Sequence, residues 1–556
     1  MEIFFTERLN DRDFVLSESF DCFDGFGHGA FQKRLFLICI ISIFAASSHS
    51  YITSLITGDV DHWCRQPPHT NMSAIAWKTE GIPLEADGQL SKCRRYDDPE
   101  DHNHSRIVPC EEWEYDDDQA MTTMRSKWNL VCDRQALFKA AVLSERVASV
   151  VFGVTAGFLS DWLGRIPIMH MAVVLLLAST VSSCFASTYE LYVAFRFLAQ
   201  GGAIATYLIT GILFFEVTTH KNRPIHVVIS GAAASVLSES WIVIMTQARL
   251  AWEIKQAVFV APTLLLITTF SIHLESPRWL ISKSRLKGAE DVMLEAAEIN
   301  NFPLQNTACL IRELQDEAAK APRKVALTEA QAPLLSGASV RKHALATFAL
   351  YFSLGYALRA VNLLTEMRNE PRVKQAAFAV NLLCFPAMIH LLRTVTMRQF
   401  ITACFFLLGV LMCLLSILIA FEASVASDAF LALAKALSTP ANIVFTTYTL
   451  ELFPTGVRGT ASGWVFGFGA TGSLFAAASL TLRKDARKAA TLASAATFLF
   501  ASVLAQRALP RNTTAECAML SSRRSSAAHQ KVLKHMMRSL ETPAQRQGRT
   551  DVLEDF

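Results

Sequence analysis

The chain has 556 residues, 52% of them hydrophobic and 18% charged, with a formal net charge of +3. Water-soluble proteins carry nearer ~25% charged residues, so the composition excludes an ordinary soluble fold. The small net charge names no partner, and nothing in the sequence points to nucleic acid. The apolar residues gather in runs of about 20, the length that spans a bilayer as a helix.

Residues 1–34 are polar, acidic and aromatic, without the pattern of a cleavable signal peptide. They end in Lys33-Arg34, and this basic pair places the N-terminus in the cytosol. The first span runs over about 35–57. Residues 58–135 form a long polar loop holding Cys64, Cys93, Cys110 and Cys132 and two glycosylation sequons, at Asn71 and Asn103. Four cysteines in one exported loop point to two disulfides, with three connectivities open. Sequons, cysteines and topology agree on an extracellular segment. His102 and His104 stand among Asp97, Asp98, Glu100 and Asp101. A solvated acidic face is the simpler reading there than a metal site, and neither a metal nor another cofactor is expected.

Five further spans are expected at about 136–158, 166–187, 190–214, 225–248 and 256–274. A polar segment, 275–342, follows. In it Ser276-Pro277 reads as a helix cap with proline at the first helical position. Stretches 277–299 and 305–320 read as amphipathic surface helices, and 321–342 as a loose linker. Six more spans are expected at about 343–363, 373–392, 400–421, 428–452, 460–481 and 489–508. The tail, 509–556, is polar and Ser/Arg-rich, as in a disordered cytosolic segment.

This plan is an all-α membrane protein with 12 transmembrane helices in two six-helix halves, 35–274 and 343–508, joined by a cytosolic linker. Lys221, Arg223, Lys283, Arg285, Lys287, Arg341 and Lys342 all fall inside, as the bias of basic residues requires. Arg483, Lys484, Arg487 and Lys488 oppose it, since they fall between the last two spans.

The most specific local pattern is Gly157-Phe-Leu-Ser-Asp161-Trp-Leu-Gly164-Arg165. It joins two apolar runs with room only for a tight turn, for which glycines supply the backbone freedom. It resembles the loop between helices 2 and 3 of major facilitator transporters. Other stretches resemble one branch of that superfamily, the organic cation/organic anion transporter family (solute carrier family 22). They are Trp128-Asn-Leu-Val-Cys132-Asp, Arg196-Phe-Leu, Glu275-Ser-Pro-Arg-Trp-Leu280 and Glu451-Leu-Phe-Pro454-Thr-Gly-Val-Arg458. The resemblance covers about residues 20–510. It implies the major facilitator fold, with two halves about a central cavity.

Asp161, Arg165, Glu216, Arg398, Glu451 and Arg458 fall at cytosolic helix ends, where opposite charges can pair across the halves in one state and part in the other. The resemblance implies that such residues, with Gly157, Gly164 and Arg196, belong to the gate. The second half departs from the pattern: where it should repeat the turn it reads Arg393-Thr-Val-Thr-Met-Arg398, without the acid or the glycine. The positions matching the charge-selective sites of the family are Phe385 or Asn381 and Ala470, none of them charged. Tyr356, Phe445, Tyr448, Trp464 and Phe468 could wall a neutral pocket, or else face lipid or core. Glu239 lies near the middle of span 5 and is a candidate to neutralise a cationic substrate; a structural partner such as Arg196 is the competing reading. Glu145, Arg146 and Arg359 lie toward the outer ends, as snorkelling or vestibule charges.

Gly467-Phe-Gly-Ala-Thr-Gly472 fits a dinucleotide fingerprint but sits inside an apolar span, where glycines serve helix packing. No Walker sequence and no catalytic constellation is present, so no enzymatic activity is expected. The expectation is a plasma-membrane carrier of small organic ions working by alternating access, with both termini cytosolic. The rival is a receptor-like binding protein that kept the fold and lost turnover.

Overall fold

A computed structural model describes residues 26–56, 61–68, 70, 72–85, 88–98, 106–115, 123–218, 223–248, 250–283, 285–304, 307, 338–368, 371–421, 424–480 and 485–510. Asn71, Asn103, His102, His104, Lys221, Arg483, Lys484 and most of 305–337 lie outside them, as do residues 1–25 and 511–556.

The long helices are α1 (Ala30–Ile56), α2 (Gln135–Leu163), α3 (Arg165–Cys184), α4 (Tyr189–Val217), α5 (Arg223–Gln247) and α6 (Trp252–Val260), the last continued by 3-10 turns over Ala261–Ser271. After the short helices Pro277–Ser282 and Leu286–Ile299 come α7 (Ala338–Arg368), α8 (Pro371–Leu391), α9 (Met397–Ala420), α10 (Ser424–Leu452), α11 (Arg458–Leu480) and α12 (Asp485–Ala505). In hydrocarbon each backbone N–H and C=O must find its partner within the segment, which makes an apolar run of this length a helix.

Among the described residues, ten helices are long and apolar enough to cross a membrane. The apolar part of α8, Gln375–Leu391, is shorter, and α11 is not among the ten. The residues that lower the hydropathy of α11 are the ones that let it pack. A Cβ on Gly157 would collide with the backbone of Gly459, and one on Gly355 with the backbone of Gly469. Helix α11 is thereby wedged against α2 on one side and α7 on the other, the close approach that small residues permit in membranes.

The bundle has two distinguishable ends. At one, Asn300 behind the Leu286–Ile299 helix accepts from the N–H of Phe31 at 3.0 Å and donates to the carbonyl of Phe26 at 3.0 Å, pinning the start of α1. At the other, the last turns of α1 (Ile52, Ile56) pack with Met124, Leu130, Tyr192 and Trp252 beside the cysteine-rich segment. We refer to these as the linker end and the disulfide end.

At the disulfide end, Cys64 pairs with Cys110 and Cys93 with Cys132. Strand β1 (His62–Cys64) pairs antiparallel with β4 (Trp113–Tyr115), and β2 (Arg94–Tyr96) with β3 (Ile107–Pro109). The indole N–H of buried Trp77 donates to the Cys64 carbonyl at 2.8 Å, so a small core of Cys64, Trp77, Ile82 and Cys110 forms around the first bridge. Strands this short need the cross-links.

The Gly157–Arg165 stretch corrects one expectation. Helix α2 runs through to Leu163, and the break before α3 is one residue, Gly164, at φ 118°. Gly157 takes no part in the turn; it is a packing residue of the α2–α11 seam.

Candidate functional site

Two features of the bundle carry chemistry: a buried charge network between the halves at the linker end, and a cavity above it. The network starts from Asp161 and Arg165, one helical turn apart across the Gly164 break, with Nη1 of Arg165 2.7 Å from Oδ1 of Asp161. The Arg165 guanidinium also donates to both carboxylate oxygens of Glu216 on α4, at 3.2 and 3.0 Å, and to the Thr455 carbonyl at 2.9 Å. Arg458, at the start of α11, donates at 3.0 Å to Oε1 of Glu216, the oxygen that Nη2 of Arg165 also reaches. All four side chains are buried. Two carboxylates and two guanidiniums balance in charge, as buried ions must.

Asp161 also reaches across the boundary between halves. Its carboxylate accepts the N–H groups of Gly459 (3.0 Å) and Thr460 (2.6 Å) and the Thr460 hydroxyl (2.8 Å). An acid on α2 thus caps the first turn of α11, where unpaired N–H groups and the positive helix end favour an anion.

The Glu275-Ser-Pro-Arg-Trp-Leu280 stretch braces this network from below. The Trp279 indole donates to the Asp161 carbonyl at 3.1 Å, and Glu275 accepts the N–H of Ile166 at 3.1 Å. Burial pushes the Glu275 carboxyl above its ordinary value, against the N–H groups of Ser276 and Ile166 and the Arg165 charge. Ser276 caps its own short helix by accepting from Trp279 N–H at 3.2 Å. Arg398 is half-buried at the start of α9, and Glu451 is buried near the end of α10. The departing second-half turn is closed instead by a capping box, Thr396 with Gln399, at the start of α9.

The cavity holds about 340 Å³ and is lined from both halves, by α1, α2, α4, α5, α7, α10 and α11. Of the substrate candidates read from sequence, Glu239 lines it. Asn381 on α8 donates to both Glu239 oxygens at 3.0 Å. The competing partner is corrected: Arg196 bonds Glu145 at 2.9 Å, with the His49 carbonyl at 2.8 Å and His49 Nδ1 at 3.0 Å, all inside the first half. Glu145 is therefore a buried structural partner, not a vestibule charge, and Arg196 is remote from the linker-end network.

The aromatic candidates sit elsewhere. The Tyr356 hydroxyl bonds Ser479 and Ser494 within the second half, and Phe385 and Phe445 are core residues there. Buried Tyr448 donates to the Pro510 carbonyl, and Phe468 stacks on Phe348. Trp464 is exposed on the outer surface of the bundle, and Ala470 is half-buried outside the cavity. The aromatic wall is instead Tyr207, Tyr351 and Phe466, with the Tyr207 and Phe466 rings edge to face at 5.2 Å. Much of the polar wall comes from Thr439, Asn442, Thr446 and Thr449 on α10. Their three- and four-residue spacing is a polar stripe on one helix face, a signal the sequence itself carries.

Among the described residues, His62, Cys93 and Cys132 are the cluster close enough to share a metal, but the two cysteines are bonded to each other. That removes the thiolates a metal would need.

A sequence profile described as "Sugar (and other) transporter" matches residues 118–505. Mouse (Mus musculus) organic cation/carnitine transporter 2 is 25% identical over 460 residues, 78% of this chain and 81% of its own length. Bovine (Bos taurus) solute carrier family 22 member 7 is 26% identical over 469 residues, 79% and 83% of the two chains. Among solved structures, the proton:xylose symporter XylE bound to 6-bromo-6-deoxy-D-glucose superposes with a TM-score of 0.57 at 15% identity, covering 88% of this chain and 99% of that one. This last likeness shows the major facilitator fold.

Proposed function

Since the chain belongs to the sugar (and other) transporter family, alongside its solute carrier family 22 members, we propose that it carries small organic ions across the plasma membrane by alternating access. The observation that carries this is the pairing of one cavity, walled by both halves, with a charge network that crosses between the halves below it. Rocking the halves apart at the linker end would hydrate Asp161, Glu216, Arg165 and Arg458. Ions that lose each other there regain water, so the closed and open arrangements can lie within a few kcal/mol (~1–5) of one another. Such near-balance is what a carrier needs, since it must visit both states in each cycle.

In this reading the linker end faces the cytosol together with both termini, the disulfide end faces outward, and Asn71 and Asn103 carry glycans. Glu239 and the Tyr207–Phe466 wall contact the substrate. The receptor-like alternative is not favoured. Its grounds are the departed second-half turn and the uncharged cavity positions, whereas the linker-end network is built from the first-half turn and the α10–α11 corner, and Glu239 lines the cavity.

The test is uptake by the purified full-length chain in proteoliposomes, with cations, anions and zwitterions offered in turn. Saturable flux of at least one charged solute supports the proposal; binding without flux for every solute refutes it.

A further inference from the structure

Helix α6 is wound in two ways. Trp252–Val260 is α-helical, and Ala261–Ser271 is an unbroken 3-10 helix of 11 residues. Runs beyond about three or four residues are uncommon, because the tighter turn has poorer hydrogen-bond geometry. Burial follows the tighter winding. Val260, Thr263, Leu266, Thr269 and Ile272 are buried at a strict three-residue spacing, while Leu264, Leu265, Ile267 and Phe270 are exposed. A 3-10 helix stacks such a stripe on one face; in an α-helix it would drift by ~60° at each step. Leu266 seats the stripe against Ala45, Val173, Leu176, Ala199 and Ala203. Thr263, Thr268, Thr269 and Ser271 each donate a hydroxyl to the carbonyl three residues back, at 2.6–2.7 Å. The last turn is also held from outside. Nε2 of half-buried His170 on α3 donates to the Thr269 carbonyl at 3.1 Å, beside the Ile272 N–H at 2.9 Å, and its ring lies 4.8 Å from that of Phe270.

The two ends of α6 are held unequally. At its start Glu253 pairs with Lys127 at 3.0 Å, and Trp252 packs on Trp128 and Tyr192. Gln256 accepts from the Tyr192 hydroxyl at 2.9 Å and donates to Ser183 at 3.0 Å. The other end leads directly into Glu275 and Trp279, which brace the linker-end network. A change in the length of α6 is therefore delivered to that brace. As wound, Trp252–Ser271 spans ~35 Å; as a continuous α-helix it would span ~30 Å, still enough for a hydrocarbon core of ~30 Å. The sequence serves both windings, since Val260, Leu264, Ile267 and Leu274 follow the α-helical period. A retraction of ~5 Å is more than the bonds from Glu275 to Ile166 and from Trp279 to Asp161, each 3.1 Å long, can follow.

From this we propose that the 3-10 half of α6 is the two-state element of the linker-end gate. Wound as a 3-10 helix, it holds the brace against Asp161 and Ile166. Rewinding to α-helix withdraws the brace as the halves part. His170 is the positioning residue that holds the long form. A gate of this kind needs two packings of one sequence that lie close in free energy, and the two registers of this segment supply them. The inference rests on the alternating-access reading for its use in a cycle; the link between α6 length and the gate is a property of the protein without any solute.

The experiment reads two distances in reconstituted full-length protein, with labels on unnatural amino acids and no solute added. Val258 with Ser271 reports the length of α6, and Trp162 with Arg393 reports the linker end. The first pair is expected at a backbone separation of ~25 Å, with a second population ~5 Å shorter. Asp161→Ala enriches the shorter α6 and the wider linker end together. His170→Ala does the same from the other side, and His170→Gln, which keeps a donor, stays near wild type. Thermal unfolding checks that each variant is folded, and Asp161→Ala leaves the residues of α6 unaltered. A single α6 length in all proteins, or a length that changes without the linker end following, would overturn the inference. A linker end that widens while α6 stays long would overturn it too, and leave carriage intact. Linked distances without uptake of any solute would leave it standing and count against carriage instead.

Discussion

Asn381 on α8 places its amide nitrogen 3.0 Å from each carboxylate oxygen of Glu239 on α5. The two residues belong to different halves, so the acid that faces the cavity is oriented from across the boundary along which the halves would move. A hydrogen bond to a charged group contributes about 1.5–3 kcal/mol. Replacing Asn381 by Leu should therefore lower organic-ion affinity by roughly tenfold or more, while Asn381→Gln retains part of it. Equal affinities for all three proteins would show that Glu239 is oriented by something else.

The Asp161 cap on α11 predicts a conformational phenotype. Loss of an N-cap acid costs about 0.5–2 kcal/mol, and here it also removes one of the two carboxylates that pair with Arg165. Asp161→Ala should move the resting population toward a state open at the linker end, read as faster thiol labelling of a reporter cysteine placed there. Unchanged labelling would separate Asp161 from the gate.

Glu216 is the hub of the network, bonded by Arg165 and Arg458 alike. Removing one member of a buried charge group costs ~3–5 kcal/mol because the rest is left uncompensated. Glu216→Gln should thus lower surface expression and thermal stability more than Asp161→Asn, and a double variant that also neutralises Arg458, leaving Asp161 balanced by Arg165, should recover part of the loss. Additive losses in the double variant would contradict this.

The apolar runs delimited the helices to within a few residues, because backbone satisfaction in hydrocarbon leaves little choice. Asp161, Arg165, Glu216 and Arg458 stood out as charges at helix ends. The cavity wall was poorly legible, because an aromatic residue in an apolar run reads alike whether it faces lipid, core or substrate. Tyr356 and Tyr448 pack inside the second half away from the cavity, while Tyr207 and Tyr351 line it. The α10 stripe of Thr439, Asn442, Thr446 and Thr449 was the clearer sign, since polar side chains on one face of a membrane helix need water or protein to meet.

The cross-links of the disulfide end have a defined prediction. Their sequence separations are 46 and 39 residues, loops whose closure contributes about 4 kcal/mol each in the chain-entropy account. Peptide mapping of surface protein should find Cys64 joined to Cys110 and Cys93 to Cys132. Cys64→Ser with Cys110→Ser should impair maturation. Any other pairing would refute the arrangement.

Glu275 supplies a pH dependence. Its folded-state value is raised by burial, so its contribution is complete below the unfolded carboxylate value and is lost as pH rises through the folded value. Measured against Glu275→Gln, wild-type thermal stability should be similar in acid and fall behind toward neutral pH. A wild type that gains on the variant as pH rises would reverse the sign and refute it.

The central claim is that the two halves open and close at the linker end as an organic ion binds. The most direct measurement is the distance between labels at two exposed positions there, Trp162 on α2 and Arg393 after α8, in reconstituted full-length protein. Two distance populations are expected, their ratio shifting when a transported ion is added and Asp161→Ala enriching the longer one. A single distance, indifferent both to every transported ion and to Asp161→Ala, would contradict it.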